Sequence, residues 1–262
     1  TSWATMLAIS ARPSITAVAR SLARRWRDAS ARWAVRTPIR NKKTATVGIG
    51  GLGYVGLPLS HACLKAGYKV VGFDIDQRKI DCIKSGKPYI HHLGQEFFDY
   101  IKGNEGFLGT ANPEDLKKAD AILICVPTPL GHHKEPDLSF VLDSTRLIAK
   151  VLRKGQLVSL ESTTYPGTTR DEMGPILDAT GLKRNEDYFL AYSPEREDPG
   201  NPNFSASVIP KLVGGTDEAS GKLAYALYSR VVSKAHFVSS AEVAETAKLL
   251  ENIFRAVNIA LV

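Results

Sequence analysis

The stretch Gly51-Leu52-Gly53-Tyr54-Val55-Gly56 constrains this chain more than any other. It follows a β-branched run, Thr44 to Ile49, and opens an amphipathic run, Tyr54 to Ala66, that Gly67 closes. A strand, three closely spaced glycines and a helix make up a dinucleotide-binding βαβ unit. Gly51 permits the tight turn, Gly53 lets a pyrophosphate approach the backbone, and Gly56 lets helix and strand pack closely. The helix N-terminus, at Tyr54, Val55 and Gly56, offers N–H groups and partial positive charge to phosphates. Three glycines in a loop are common by themselves; here an acid follows at the required distance. Asp74 ends a second strand, Lys69 to Asp74, where a carboxylate accepts both hydroxyls of the adenosine ribose. That carboxylate repels a 2′-phosphate, so NAD is expected rather than NADP. Arg78 is the group that could reach such a phosphate, although a helix arginine is usually solvated.

Alternation continues downstream. A helix is expected from Gln77 to about Ser85, a strand over Ala121 to Val126, and a helix over Phe140 to Leu152. Two more strands follow, Leu157 to Glu161 and Tyr188 to Ser193, and the final segment, Ala241 to Val262, reads as one amphipathic helix. Strands spaced by helices indicate an α/β, Rossmann-type, doubly wound parallel sheet, here running from 44 to 238. Residues 239–262 would begin a long central helix that carries no stop signal, as in a truncated protein.

Charge is divided unevenly. Of 34 Lys and Arg and 27 Asp and Glu, residues 1–43 hold ten bases and one acid, Asp28. Without them the chain is near neutral, with no basic stripe interleaved with aromatics, which argues against nucleic-acid binding. The Ala-, Arg- and Ser-rich segment 1–43 has a presequence-like composition and is expected to lie outside the fold. No apolar run is long enough to cross a bilayer. Cys63, Cys82 and Cys125 lack metal spacing and read as reduced thiols. His91-His92 and His132-His133 read as loop residues, so no metal site is expected.

Three strand ends carry polar chemistry to the edge where open α/β sheets bind ligands. They are Val126-Pro127-Thr128-Pro129, Glu161-Ser162-Thr163-Thr164-Tyr165-Pro166-Gly167 and Ser193-Pro194-Glu195-Arg196-Glu197-Asp198-Pro199-Gly200. Together with GGLGYVGLP and AKLLENIFRAVNIA, these motifs resemble the UDP-glucose/GDP-mannose dehydrogenase family from about Thr44 onward. Within that family the chain is most similar to members acting on UDP-N-acetylglucosamine.

The resemblance implies oxidation of a sugar's primary alcohol to a carboxylate by two hydride transfers to NAD, through a cysteine thioester. It implies that Pro127, Thr128 and Thr163 line the cofactor site. Glu195 would work with a water in the acid–base steps, and Thr163 would help hold that water. Lys248 and Asn252, one helical turn apart on one face, would donate to the developing oxyanion. Glu195, Arg196, Lys248 and Asn252 would face the substrate, whereas Arg255 and Asn258 would serve packing. A cytoplasmic homodimer joined through the central helix is also implied.

Two departures qualify the match. The family's nucleophilic cysteine lies beyond the central helix, and no cysteine here replaces it by position. This chain is therefore expected to bind NAD without turnover, and a non-catalytic NAD-binding module is the competing reading. In addition, Arg196-Glu197-Asp198-Pro199-Gly200 replaces the aromatic-containing stretch usual in UDP-glucose and GDP-mannose enzymes. That favours an N-acetylated sugar, with UDP-N-acetylmannosamine still open.

Overall fold

Strand β4 (Ala121–Ile124) is wholly buried, and its side chains alternate between two apolar clusters, Ala121 and Leu123 in one, Ile122 and Ile124 in the other. A strand with no polar face needs cover on both sides. The computed structural model describes residue 39 and residues 45–131, 135–195 and 210–262, and it has that architecture. The other strands are β1 (Thr46–Gly50), β2 (Lys69–Phe73), β3 (Phe107–Thr110), β5 (Leu157–Leu160), β6 (Phe189–Tyr192), β7 (Lys211–Gly215) and β8 (Ala235–Phe237). They form one sheet in the order β3-β2-β1-β4-β5-β6-β7-β8. The order reverses between β1 and β4, the switch point at which such sheets bind ligands. Gly50 is level with Phe73 on one side and Ile124 on the other, so three strand ends open on one edge.

The sheet is parallel from β3 through β6, as expected, and mixed at its far edge. β7 runs antiparallel to β6, pairing Gly215 with Ala191 and Gly214 with Tyr192. β8 pairs parallel with β7, so the last two strands run against the first six, a mixed edge that doubly wound sheets commonly carry.

Helices α1 (Gly56–Lys65), α2 (Gln77–Ser85), α3 (Gly94–Lys102) and α6 (Glu218–Val231) supply Leu57, Ile80, Phe98 and Leu227 to the first cluster. Helices α4 (Ser139–Ala149), α5 (Gly174–Asp178) and α7 (Ala241–Leu261) supply Val141, Leu177 and Ala244 to the second. Asp76 caps α2 by accepting from the Arg78 N–H, and Asp217 and Ser240 cap α6 and α7 in the same way. These caps satisfy N–H groups that a helix start leaves open. A wide π-type turn, Thr168–Met173, leads into α5.

One residue of the basic segment, Ile39, is among the described residues. It is buried in the first cluster, and its carbonyl accepts from the Tyr68 hydroxyl at 3.2 Å. The remainder of the basic segment, together with His132, His133 and Arg196, lies outside the described residues. Among the described residues no helix is long and apolar enough to cross a membrane.

Candidate active site

Gly51 has φ +97°, and a Cβ there would stand 2.7 Å from the Cys125 carbonyl oxygen. On Gly56 a Cβ would come within 1.8 Å of the Gly51 carbonyl oxygen. Both positions therefore exclude side chains, one by conformation and contact, the other by contact alone. Gly53 differs: a Cβ there would meet nothing within 4 Å. Its bare backbone faces open space, the free cradle that a pyrophosphate requires. No side chain caps the α1 N-terminus beside it; the Leu57 N–H donates to the Gly53 carbonyl at 3.1 Å and Pro58 has no N–H, so the Gly56 N–H is the one that α1's first turn can offer to an anion.

A cleft of ≈ 390 Å³ opens here, lined by Gly51, Gly53, Asp74, Lys79 and Pro127 and walled by Phe140, Asp143, Ser144, Leu147 and Ile148 of α4. Tyr54, Val55, Gly56, Arg78, Thr128 and Thr163 are not part of that lining.

Asp74 is 5% exposed. Its Oδ2 accepts from the Leu52 N–H at 2.8 Å and from Lys79 Nζ at 2.7 Å, and its Oδ1 accepts from the Asp76 N–H at 2.9 Å. This changes the simple expectation for Asp74. With three donors already in place, it lacks the capacity to take both ribose hydroxyls alone. Lys79 stands beside it as the second polar contact a ribose would meet. Arg78, named from sequence, is 89% exposed and turned onto Asp76 through two 2.9 Å contacts. Asp76 both caps α2 and holds that guanidinium, which leaves the cleft to Lys79. Helical spacing alone could not separate two adjacent basic residues.

The chemistry-bearing side chains gather at the neighbouring strand ends. The Ser162 hydroxyl donates to the Val126 carbonyl at 2.5 Å, joining the loop after β5 to the cleft-lining loop after β4. Next to it, Thr163 Oγ1 lies 3.3 and 3.4 Å from the two carboxylate oxygens of Glu195. Lys248, buried on α7, donates to Glu195 Oε1 at 2.6 Å and to the Glu195 backbone carbonyl at 3.0 Å. Thr163, Glu195 and Lys248, 85 residues apart at the extremes, thus form one cluster. An ammonium has three donors, so Lys248 keeps one in addition to these two. Asn252 sits one turn further along α7 and makes no hydrogen bond to this cluster among the described residues.

Glu245 escaped sequence reading. Its carboxylate accepts from the Gly167 N–H at 2.6 Å, the Thr169 N–H at 2.9 Å and the Thr169 hydroxyl at 2.6 Å. Burial raises its pKa, and those three donors oppose the rise. It ties α7 to the turn after Thr163, and Arg170 adds a 2.5 Å contact to Glu242. A glutamate on a polar helix face gave no sequence signal for this. His92, expected as a loop residue, makes a ring contact as well. It stacks on the exposed Tyr54 ring, with centroids 5.5 Å apart and planes 7° from parallel.

Cys125 lines the cleft but is buried, and burial with the nearby Glu161 charge pushes its thiol well above the ordinary range. A thiol held protonated is a poor nucleophile. Cys63 is buried and shifted the same way.

Residues 45–232 match the family model described as the NAD-binding domain of the UDP-glucose/GDP-mannose dehydrogenase family. Among curated relatives, UDP-N-acetyl-D-glucosamine 6-dehydrogenase of Pseudomonas aeruginosa is 40% identical over 224 residues, 84% of this chain and 52% of that protein. UDP-N-acetyl-D-mannosamine dehydrogenase of Pyrococcus horikoshii is 38% identical over 219 residues, 82% of this chain and 51% of that protein. A solved structure of the Pyrococcus horikoshii UDP-D-ManNAc dehydrogenase aligns with a TM-score of 0.77 at 38% identity, covering 82% of this chain and 52% of that one. The chain spans about half the length of the relatives it matches. The glycine cradle, the buried acid at the end of β2 and this similarity agree: the chain belongs to the UDP-glucose/GDP-mannose dehydrogenase family and contains its NAD-binding domain.

Proposed function

We propose that this chain is the cofactor-binding portion of an NAD-dependent dehydrogenase that oxidises the primary alcohol of a UDP-N-acetylhexosamine to the uronic acid, with UDP-N-acetylglucosamine the favoured substrate. The observation that carries the reading is the Thr163–Glu195–Lys248 cluster, joined to the NAD cleft through the Ser162–Val126 contact. The overall change converts a primary alcohol, one water and two NAD⁺ into a carboxylate, two NADH and three protons. Bound NAD supplies the hydride acceptor, held by the glycine loop, Asp74, Lys79 and Pro127.

In the proposed acid–base steps, Glu195 and Thr163 hold a water, with Oε2 of Glu195 the carboxylate oxygen less engaged by Lys248. Proton removal falls to Glu195. The remaining N–H of Lys248 is directed at the developing oxyanion, a role in which a preorganised cation contributes several kcal/mol. Asn252, on the same face of α7, is proposed as a second donor, and Arg196 as a substrate contact.

A thioester route needs an accessible thiolate beside the cleft: Cys125 and Cys63 are buried, and Cys82, though half-buried, sits on α2 and is not among the residues lining the cleft. The proposal assigns that nucleophile to a cysteine outside these 262 residues. This chain by itself is then expected to bind NAD and produce no NADH. We further propose that the full-length protein is a cytoplasmic homodimer joined through α7.

The test is NADH formation by the full-length protein with UDP-N-acetylglucosamine, UDP-N-acetylmannosamine and UDP-glucose in parallel. The expected result is turnover with an N-acetylated sugar, lowered about 100-fold or more by Glu195→Gln or Lys248→Met with NAD affinity retained. Absence of NADH with all three sugars overturns the reading.

A further inference from the structure

Glu161 and Lys211 form a buried ion pair, Nζ to Oε2 at 2.5 Å, beneath the Glu195 loop. Exchanging such a pair for apolar side chains of similar volume is often neutral or stabilising, because two charges must be desolvated to make it. Core stability alone therefore explains it poorly.

Its remaining contacts point to the loop. Lys211 Nζ also donates to the Pro194 carbonyl at 2.9 Å and lies 3.4 Å from the Ser193 carbonyl. The Glu161 carbonyl accepts from the Glu195 N–H at 3.1 Å. On the far side, the Tyr228 hydroxyl donates to Glu161 Oε1 and lies 3.0 Å from Ser159 Oγ, while the Lys211 ammonium sits 5.2 Å from the centroid of the Tyr228 ring. Burial raises the Glu161 carboxyl, and Lys211 and Tyr228 draw it back down. Four elements thus meet in one network: the end of β5, the loop after β6, the start of β7, and α6.

We propose that the Glu161–Lys211–Tyr228 network is a positioning device that fixes the Glu195 carboxylate against Thr163. The two strand-end loops carry these groups on separate backbones, and the Thr163–Glu195 distances of 3.3 and 3.4 Å depend on both. Lys211 holds the Glu195 loop by its carbonyls, while Glu161 holds Lys211 and belongs to the chain segment that carries Thr163. The catalytic consequence rests on the dehydrogenase reading above; the mechanical role does not.

The test is the double variant Glu161→Leu/Lys211→Met in the full-length protein, which removes the loop anchor without leaving an unpaired buried charge. Hydrogen exchange at the Glu195 amide is the first measurement. It is expected to accelerate at least tenfold over wild type while exchange in β1 and NAD affinity stay unchanged. The second is kcat per NAD-binding site, expected to fall roughly 100-fold with KM for the sugar within about threefold, since small misplacements of a catalytic group have effects of that size. A single Tyr228→Phe substitution, which leaves the loop contacts intact, should lower kcat by less. Unchanged exchange at Glu195, or unchanged kcat per NAD-binding site, overturns the proposal. If wild type makes no NADH, the dehydrogenase reading falls, and the exchange measurement alone still decides whether the network holds the loop.

Discussion

Two residues of the NAD cleft can be tested separately because they act by different physics. Asp74 acts through its acceptor oxygens: Asp74→Ala frees Lys79 and leaves the Leu52 N–H without its partner. Titration calorimetry is expected to show NAD affinity reduced by at least tenfold, in line with charge-assisted contacts of about 1.5–3 kcal/mol. Undiminished binding would remove Asp74 from the site. Gly56 acts by its missing Cβ, which would otherwise overlap the Gly51 carbonyl. Gly56→Ala should cost at least about 2 kcal/mol on denaturant unfolding and weaken NAD together with stability. Thiol chemistry gives a third residue-scale test. Burial holds Cys63 and Cys125 protonated, whereas Cys82 is only half-buried. Alkylation of the native protein near neutral pH should therefore label Cys82 first. Labelling of Cys125 should increase only as pH rises or as the protein unfolds, and rapid labelling of Cys125 at neutral pH would contradict the burial argument.

At the scale of elements, α7 decides how the cluster is assembled. Its first turns hold Glu242 on Arg170, Glu245 on Gly167 and Thr169, and Lys248 on Glu195. Glu245→Ala leaves two buried N–H groups without acceptors, a loss of about 2–4 kcal/mol. It should also lower turnover in the full-length protein by loosening Lys248 from the loop after β5. Thermal unfolding and kcat measured on one preparation check both effects; a variant of wild-type stability would show that Glu245 does not hold that turn. The helices and strands legible in the sequence were those with strong periodicity or glycine punctuation: β1, α1, β2, α2, β4, α4, β5, β6 and α7. β3 and β8 are short and partly exposed, β7 ends in two glycines, and α6 is rich in small residues. None of these carries enough apolar pattern to stand out before its neighbours are known.

At the scale of the whole molecule, the unpartnered surface of α7 is the most consequential feature. Leu250, Ile253, Phe254 and Val257 are exposed beyond the point where α7 leaves the sheet, Phe254 at 69%. A contiguous apolar face of this kind marks an interaction surface, and the proposed occupant is a second copy of the chain. Sedimentation of the full-length protein is expected to give a dimer, and the double variant Leu250→Glu/Phe254→Glu a monomer that still binds NAD. A wild-type monomer would end that proposal.

The sequence by itself determined the βαβ start, the three glycines, the acid at the end of β2 and the strand-end motifs. These are local properties, since turn conformation, helix capping and two-residue alternation are written in neighbouring residues. Only the tertiary structure decided which distant side chains meet. It set Lys79 against Asp74 and Arg78 against Asp76, brought Lys248 but not Asn252 onto Glu195, and set Glu245 and the Glu161–Lys211 pair beneath the loops. Those choices depend on burial and on the register of elements far apart in the chain, and a buried charge reveals its purpose only when its partner is seen.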